Sequence, residues 1–131
     1  MGSAYHQLDM HPNARHVTGF SCSARAFRYK RACFGLKNLP AIFTKLMDVV
    51  LGEAQGEYVS AFIDDILVYS KTWEDHLIHV ADILTRLEKA GLTASPSKTT
   101  LAVNKIQYIG HIVSTSGVTA DWRERREDQV L

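Results

Sequence analysis

The chain has 131 residues, of which 46% are hydrophobic and 22% are charged, and its formal net charge is +1. These values predict one globular domain with a modest core and exclude a disordered chain, and they give no global attraction to nucleic acid or membranes, so any such binding must come from local patches. No apolar run reaches membrane-spanning length, the start MGSAYHQ lacks the apolar core of a secretory signal, and the two cysteines fit a reducing, intracellular setting without a membrane partner.

The first half of the chain predicts strands, a helix and a hairpin, in that order. Polar residues 1 to 16 precede two short predicted strands, VTGFSCS and AFRYKRA. A helix is predicted from Pro40 through AIFTKLMDVVLGEA, because proline is tolerated in the first helical turn and the apolar residues recur at helical spacing. The segments YVSAFI and ILVYS are the strongest strand signals, and only Asp64 and Asp65 separate them, which predicts a two-residue hairpin turn.

The second half predicts one long helix followed by strands. TWEDHLIHVADILTRLEKAG has a suitable N-cap in Thr72, and its predicted buried stripe is Leu77, Val80, Ala81, Leu84 and Leu87. TTLAV and KIQYIGHIVS are predicted strands with a turn at Asn104–Lys105. This order predicts an α+β fold in which helices pack on one face of an antiparallel sheet.

The adjacent carboxylates Asp64 and Asp65 raise an electrostatic question. At about 4 Å two like charges cost roughly 1 kcal/mol in water and roughly 4 kcal/mol at an effective dielectric near 20. A solvated hairpin tip is one interpretation, because aspartate is a common turn residue. A Mg²⁺ site for phosphoryl transfer is the other, because Mg²⁺ prefers oxygen ligands and takes one or two of them from protein carboxylates. The dipeptide alone leaves both open.

Several segments in order carry a family resemblance: YHQLDM, FGLKNLPAIFTKLMDVVL, FIDDILVYSKTWEDHLIHV, LEKAGLTASPSK and KIQYIGHIVSTSGV. Over residues 3 to 121 they resemble the palm subdomain of a reverse transcriptase from gypsy-type LTR retrotransposons. The resemblance implies a partial palm at residues 1 to 121, without fingers or thumb, and a charged tail at 122 to 131. It also implies RNA-directed DNA polymerase chemistry, in which two metal ions assist nucleotidyl transfer onto a primer 3′ end. The implied partners are dNTPs and an RNA or DNA template-primer, in the cytoplasm or a virus-like particle.

The resemblance further implies roles for individual residues. Asp64 and Asp65 match the catalytic pair that binds Mg²⁺ or Mn²⁺, Tyr5 matches the steric gate against a 2′-hydroxyl, and Lys98 matches a lysine near the incoming triphosphate. Taken alone, each residue also fits an ordinary structural role, such as a half-buried aromatic at Tyr5. The remaining matches are Phe34, Gly35, Leu36, Asn38 and Pro40 beside nucleotide and template, and Tyr108, Ile109, Gly110 and His111 as the primer grip, a hairpin that holds the primer 3′ end.

The sequence also departs from the family pattern. The family's third metal-binding aspartate lies five residues before the steric-gate aromatic, which here falls one place before Met1. Ala32 and Cys33 stand where the family usually has Met-Pro. With two carboxylates only, we expect the metal site to be held weakly and the isolated chain to have little or no polymerase activity.

Two alternatives and one consequence follow from the same residues. The chain fits a non-enzymatic remnant or a nucleic-acid-binding module with a palm-like fold, because function resides in the site rather than the scaffold. His76 and His79 lie at i and i+3 of the long helix and offer a weaker hypothesis of a metal site. An incomplete palm is expected to expose apolar surface and to self-associate. The residues with local positive charge for phosphate contacts are Lys30, Arg31, Lys37 and Lys45.

Overall fold

The structure, a computed structural model, describes residues 4 to 120. It divides into two compact units, the first ending at Ser95 and the second beginning at Pro96. Within the described range, no helix has both the length and the apolar character needed to cross a membrane. The charged tail predicted for residues 122 to 131 lies outside this range.

The first unit contains two helices and two antiparallel hairpins. Short 3-10 turns at Ala4–Gln7 and Pro12–Thr18 precede β1 (Phe20–Cys22) and β2 (Arg25–Phe27). Helix α1 (Leu39–Leu51) runs into a 3-10 turn at Gly52–Ala54 and is followed by β3 (Val59–Phe62), β4 (Asp65–Val68) and α2 (Trp73–Lys89). The predicted order of strands, helix, hairpin and long helix is therefore confirmed for this unit.

The core of the first unit lies between α1, α2 and the β3–β4 hairpin. The buried residues of α1 are Leu39, Phe43, Met47 and Leu51, which recur every fourth position and so share one helix face. Helix α1 contacts α2 and β3, and α2 contacts β4, so both helices cover the hairpin. Each fully buried side chain of this size stabilises the fold by about 1.5–3 kcal/mol.

Helix α2 begins as predicted but buries a different face. The Thr72 hydroxyl accepts a hydrogen bond of 3.1 Å from the backbone N–H of Asp75, which confirms the predicted N-cap. The predicted stripe is wrong at Leu77 and Leu84, which are each 53% exposed, and at Ala81, which is also exposed, whereas Ile83 and Leu87 are buried. The helix therefore presents a large apolar surface away from the core of this unit.

The second unit contains a 3-10 turn at Pro96–Lys98 and three antiparallel strands, β5 (Lys105–Tyr108), β6 (His111–Ser114) and β7 (Gly117–Ala120). TTLAV forms no strand, so that prediction is wrong. KIQYIGHIVS, read as a strand from its pattern, turns at Ile109 and Gly110, whose φ angles of 51° and 67° fit a type I′ hairpin, as the resemblance implied for residues 108 to 111.

The α+β class predicted from the sequence is confirmed. The strands of the described residues form three antiparallel sheets, namely β1–β2, β3–β4 and β5–β6–β7. Each of these pairs joins two consecutive antiparallel strands through a tight turn. Short connections between consecutive strands favour this antiparallel pairing.

Candidate active site

The two adjacent carboxylates lie at the tip of the β3–β4 hairpin. Phe62 pairs with Asp65, so the two-residue turn is Ile63–Asp64 rather than the predicted Asp64–Asp65. Ile63 has φ 49°, a left-handed conformation that costs a β-branched residue roughly 1–2 kcal/mol. The Ile63 side chain packs against the core, and this contact holds the strained turn in place.

The two carboxylates differ in their exposure to solvent. Asp64 is half-buried, with its Oδ1 atom enclosed by protein, whereas Asp65 is exposed. Two carboxylates side by side provide hard oxygen ligands in the number that Mg²⁺ takes from protein. Across residues 4 to 120, no cluster of three or more His, Cys, Asp or Glu side chains is arranged to hold a metal ion. The donor set of the hairpin therefore fits a divalent cation that draws its other ligands from elsewhere.

Tyr5 lies in an aromatic cluster rather than on the surface. Its side chain is 7% exposed, and its ring packs on Phe34 with centroids 5.0 Å apart and edge-on to Phe43 at 5.8 Å. The structure therefore brings together two of the predicted nucleotide-binding residues, Tyr5 and Phe34. Phe34 is 65% exposed, so the outer side of this pair faces solvent.

The loop before α1 depends on Gly35. Its φ of 92° is a left-handed conformation that glycine adopts without a steric penalty, and a Cβ atom there would meet no atom within 4 Å. Glycine is therefore favoured at position 35 by the positive φ angle and not by a lack of room for a side chain. Asn38 stands at the N-cap of α1, where its backbone C=O accepts from the N–H of Ile42 at 3.1 Å. Pro40 follows in the first turn of the helix, as predicted.

The other predicted site residues belong to the second unit. Lys98 is the last residue of the 3-10 turn Pro96–Lys98, and its side chain is exposed. Tyr108 and His111 form the closing pair of the β5–β6 hairpin, and Ile109 and Gly110 form its turn. The His111 Nδ1 atom lies 2.8 Å from the carbonyl oxygen of Ile109, which ties the histidine to the turn.

Sequence reasoning missed a polar network on α2. The Tyr58 hydroxyl donates to Oδ2 of Asp82 at 2.5 Å, and Nε of Arg86 donates to the same oxygen at 2.7 Å. Nη1 of Arg86 also donates to the carbonyl oxygen of Leu51, the last residue of α1, at 3.1 Å. These bonds join the residue before β3, the end of α1 and the middle of α2. The spacing of Asp82 and Arg86 at i and i+4 was the available signal for the ion pair.

This network shifts the pKa values of its three members, and the hydrogen bond to Asp82 raises the pKa of Arg86. The hydrogen bonds from Tyr58 and then Arg86 hold the pKa of Asp82 below its usual value, against the opposing effect of burial. The hydrogen bond to the Asp82 carboxylate, followed by burial, raises the pKa of the Tyr58 hydroxyl. Both shifts favour the same pair of protonation states, a neutral tyrosine and an ionised aspartate.

His76 and His79, the residues of the weaker metal-site hypothesis, both contact the hydroxyl of the same serine. Ser70 Oγ lies 2.6 Å from Nδ1 of His79 and 3.3 Å from Nδ1 of His76. The His79 ring also stacks on Tyr58 with centroids 4.0 Å apart. Hydrogen bonding and stacking therefore account for the positions of both histidines.

The basic residues predicted to contact phosphates differ in their surroundings. Arg31 lies 3.7 Å from a carboxylate oxygen of Asp9, and Nη1 of Arg31 also donates to the carbonyl oxygens of His6 and Gln7. The side chains of Lys30, Lys37 and Lys45 are exposed. An exposed ion pair such as Arg31–Asp9 contributes about 0–1 kcal/mol to stability.

Sequence comparison relates the chain to polymerases of mobile elements. The family described as reverse transcriptase (RNA-dependent DNA polymerase) matches residues 1–113. The chain is 33% identical over 119 residues to the retrovirus-related Pol polyprotein from transposon gypsy of Drosophila melanogaster, which covers 91% of this chain. It is 32% identical over 117 residues to the transposon Tf2-3 polyprotein of Schizosaccharomyces pombe, which covers 89% of this chain. The chain spans only 12% and 9% of the lengths of these two relatives.

Solved structures show the same fold. A foamy viral protease-reverse transcriptase in complex with an RNA/DNA hybrid superposes with a TM-score of 0.86 at 21% identity, covering 99% of this chain and 18% of the viral one. The same viral protein in complex with dsDNA superposes with a TM-score of 0.79 at 22% identity, covering 94% of this chain and 25% of the viral one.

Proposed function

Because the chain belongs to the reverse transcriptase (RNA-dependent DNA polymerase) family, we propose that it supplies the aspartate hairpin of a two-metal nucleotidyl-transfer site. The chain matches a segment of retrotransposon Pol polyproteins, and the activity of such a whole protein is part of the proposal. The observation that supports the proposal is the pair Asp64–Asp65 at the tip of a hairpin whose turn residue Ile63 is held at φ 49°. Backbone strain of this kind concentrates at functional sites.

The residues that would hold the cation are Asp64 and Asp65, and Mg²⁺ or Mn²⁺ fits their oxygen donors. When bound, such a cation stabilises the charge that develops on the transferring phosphoryl group. The hairpin holds the two aspartates in place. The packing of Ile63 against the core and the pairing of Phe62 with Asp65 fix the backbone from which both carboxylate side chains extend. Two carboxylates provide only part of a two-metal site, so we expect the isolated chain to bind metal weakly and to synthesise little DNA.

The proposed substrates are dNTPs and an RNA or DNA template-primer. The foamy viral relatives of this fold are described in complex with an RNA/DNA hybrid and with dsDNA, which supports nucleic acid as the partner. The contact between Tyr5 and Phe34 supports a shared place in the nucleotide site, with Gly35 shaping the adjoining loop. We further propose that Lys98 lies near the triphosphate of the incoming nucleotide. Residues 108 to 111 are proposed to form the primer grip.

Two further proposals concern the setting of the chain. We propose an intracellular location, in the cytoplasm or a virus-like particle, because the relatives are transposon polyproteins. We also propose self-association of the isolated chain through α2. Trp73, Leu77 and Leu84 are 57%, 53% and 53% exposed and lie on one side of that helix.

Metal binding tests the site directly. Titration of the chain with Mn²⁺, followed by the electron paramagnetic resonance signal of the free ion, is expected to show weak binding that Asp64→Asn and Asp65→Asn each reduce about tenfold. Asp48→Asn is the matched control, because Asp48 is an exposed aspartate on α1. Equal Mn²⁺ binding by the wild type and both hairpin variants would overturn the proposed metal site.

Primer extension tests the chemistry. With a poly(rA) template, an oligo(dT) primer, dTTP and Mg²⁺, we expect little synthesis by the isolated chain, and any synthesis should be abolished by Asp65→Asn. Robust synthesis that depends on Asp65 would contradict the expected weakness while supporting the polymerase role. Template binding without any synthesis, even with Mn²⁺, would favour the nucleic-acid-binding module instead.

A further inference from the structure

We propose that the exposed surface of the β1–β2 hairpin binds an unpaired nucleic-acid strand. This surface, named here the aromatic-basic surface, consists of Phe20, Phe27 and Tyr29 with Arg25, Arg28 and Lys30 beside them. This inference deepens the proposed function. It rests on that function only for the role of the bound strand in DNA synthesis.

The three rings contact one another and remain partly exposed. Phe20 pairs with Phe27 across the hairpin, and their ring centroids are 5.7 Å apart at an interplanar angle of 26°. Tyr29 adds a third ring 5.6 Å from Phe20. Phe20, Phe27 and Tyr29 are 46%, 47% and 42% exposed, so each keeps a large part of its surface in solvent. Exposed rings in a row are the stacking platform that unpaired bases use.

The rings continue into the predicted nucleotide site. The His6 ring stacks on Tyr29 at 6.2 Å and 25°, and its other neighbour is Phe34 at 6.0 Å, edge to face. Phe34 in turn packs on Tyr5 at 5.0 Å. A strand lying along the aromatic-basic surface would therefore be led toward Tyr5.

Hydrogen bonds anchor the backbone beneath the rings. The N–H of Tyr29 donates to the hydroxyl of Thr18 at 2.8 Å, and this hydroxyl donates to the carbonyl oxygen of Arg15 at 2.7 Å. The N–H of Met10 donates to the carbonyl oxygen of Lys30 at 2.9 Å. Tyr29 and Lys30 are thus held from both sides, which reduces the entropy lost when a strand binds.

The part of the chain that contains this surface, residues 10 to 47, is far more basic than the whole chain. Residues 10 to 47 contain seven Lys and Arg and no Asp or Glu, a formal charge of +7, while the other residues contain eight basic and 14 acidic ones, a formal charge of −6. A carboxylate lies at each edge of the region: Asp9 is paired with Arg31, and Asp48 is exposed on α1. Arg25, Arg28 and Lys30 are exposed and lie within two residues of Phe27 or Tyr29 along the chain, so cations for phosphate contacts accompany the rings.

The combination favours an unpaired strand over a duplex or an apolar protein partner. In a duplex the base faces are already stacked on each other, so exposed rings gain little from them. An apolar partner would bury the exposed guanidinium groups without compensation. A single strand satisfies both features, because its bases stack on rings while its phosphates meet cations.

Fluorescence anisotropy tests the proposal with the 131-residue chain and labelled oligonucleotides of about 20 nucleotides, in EDTA so that metal binding plays no part. We expect oligo(dT) and oligo(rU) to bind about tenfold or more tighter than a duplex of equal length, and their comparison separates DNA from RNA. Phe27→Leu and Tyr29→Leu should each weaken single-strand binding about fivefold or more, whereas Phe27→Trp, which keeps a ring, should retain it. The double change Arg25→Gln and Arg28→Gln should reduce the salt slope by about 1.4.

The matched controls remove the same kinds of side chain, an aromatic ring and a positive charge, from positions of the first unit outside the aromatic-basic surface. Tyr69→Leu removes an exposed ring and Lys71→Gln an exposed charge, and both should leave binding unchanged, with circular dichroism confirming that every variant is folded. Unchanged affinity in Phe27→Leu and Tyr29→Leu, equal binding of duplex and single strand, or equal loss in the controls would each overturn the proposal. Because EDTA is present, failure of the metal site would leave this result untouched.

Discussion

The hydroxyl of Tyr58 donates a 2.5 Å hydrogen bond to Oδ2 of Asp82, which joins the residue before β3 to the middle of α2. Arg86 completes the arrangement by bonding both Asp82 and the last carbonyl of α1, at Leu51. Asp82 and Arg86 of α2 therefore connect the end of α1 to the residue that precedes the aspartate hairpin. Removing one partner of such a bond costs more than the bond itself contributes, because the other partner is left desolvated.

Tyr58→Phe is expected to lower the free energy of unfolding by about 1 kcal/mol, because it deletes one hydrogen bond and keeps the ring. The stacking of the ring on His79 should survive the change. Urea unfolding followed by circular dichroism measures the loss. Tyr69→Phe, at an exposed tyrosine, is the control and should change stability by less than about 0.5 kcal/mol. Equal effects of the two substitutions would contradict a special role for the Tyr58 hydroxyl.

The pKa shifts of the same pair predict a pH dependence. Because the pKa of Asp82 is lower in the folded chain than its ordinary 3.8, its contribution is complete above that pH and is lost as the pH falls through the folded value. Because the pKa of Tyr58 is raised above 10.0, its contribution is complete below that pH and is lost as the pH rises further. The stability difference between the wild type and Asp82→Asn should thus be constant near neutral pH and shrink in acid below 3.8. A difference that is the same at every acidic pH would contradict the assignment.

The sequence allowed the hairpin to be predicted but placed its turn one residue late. Aspartate is a common turn residue, so Asp64–Asp65 was the natural choice. The observed turn, Ile63–Asp64, puts an isoleucine at positive φ, which turn preferences disfavour. The core accounts for the outcome, because Ile63 at the observed turn packs against it and so holds the unfavourable backbone conformation.

Helix α2 shows a second limit of sequence reasoning. The helix carries apolar residues on two faces, so periodicity alone favoured Leu77 and Leu84 over Ile83. The buried face was settled by partners distant in sequence, among them Tyr58 through Asp82. The N-cap at Thr72 was predictable because capping is local.

The exposed apolar face of α2 leads to a prediction on self-association. Sedimentation velocity should show concentration-dependent oligomers of the wild-type chain, and the double change Leu77→Glu and Leu84→Glu should make it monomeric, because both side chains are 53% exposed on that face. Val49→Glu, at an 80% exposed valine on α1, is the control and should leave association intact. A wild type that stays monomeric at all concentrations would refute this prediction.

Gly35 allows backbone strain to be separated from nucleotide binding. Gly35→Ala and Gly91→Ala both place a Cβ at positive φ, 92° and 72°, with no atom within 4 Å, so each should destabilise the chain by about 1 kcal/mol. Only Gly35→Ala should also weaken binding of dTTP with Mg²⁺, measured by saturation-transfer NMR, because only Gly35 adjoins Phe34. Equal nucleotide binding by the two variants would remove Gly35 from the proposed site.

Phe43 links the core to the predicted nucleotide site. Its side chain is 0% exposed, and its ring meets Tyr5 edge to face at 5.8 Å. Phe43→Ala should lower the free energy of unfolding by about 3–5 kcal/mol, because it removes buried surface and leaves a cavity, whereas Val49→Ala should have little effect. A loss of that size is a large fraction of the roughly 5–15 kcal/mol by which folded domains are stable.

The milder Phe43→Leu keeps most of the buried volume while removing the ring that supports Tyr5, so it separates stability from positioning. The expected loss of stability is below about 1.5 kcal/mol, as for hydrophobic exchanges of similar volume. If Tyr5 must be held in one orientation to accept a nucleotide, dTTP binding should fall more in Phe43→Leu than in the exposed control Val49→Ala. Unchanged dTTP binding in a folded Phe43→Leu variant would mean that the orientation of Tyr5 does not depend on its core neighbour.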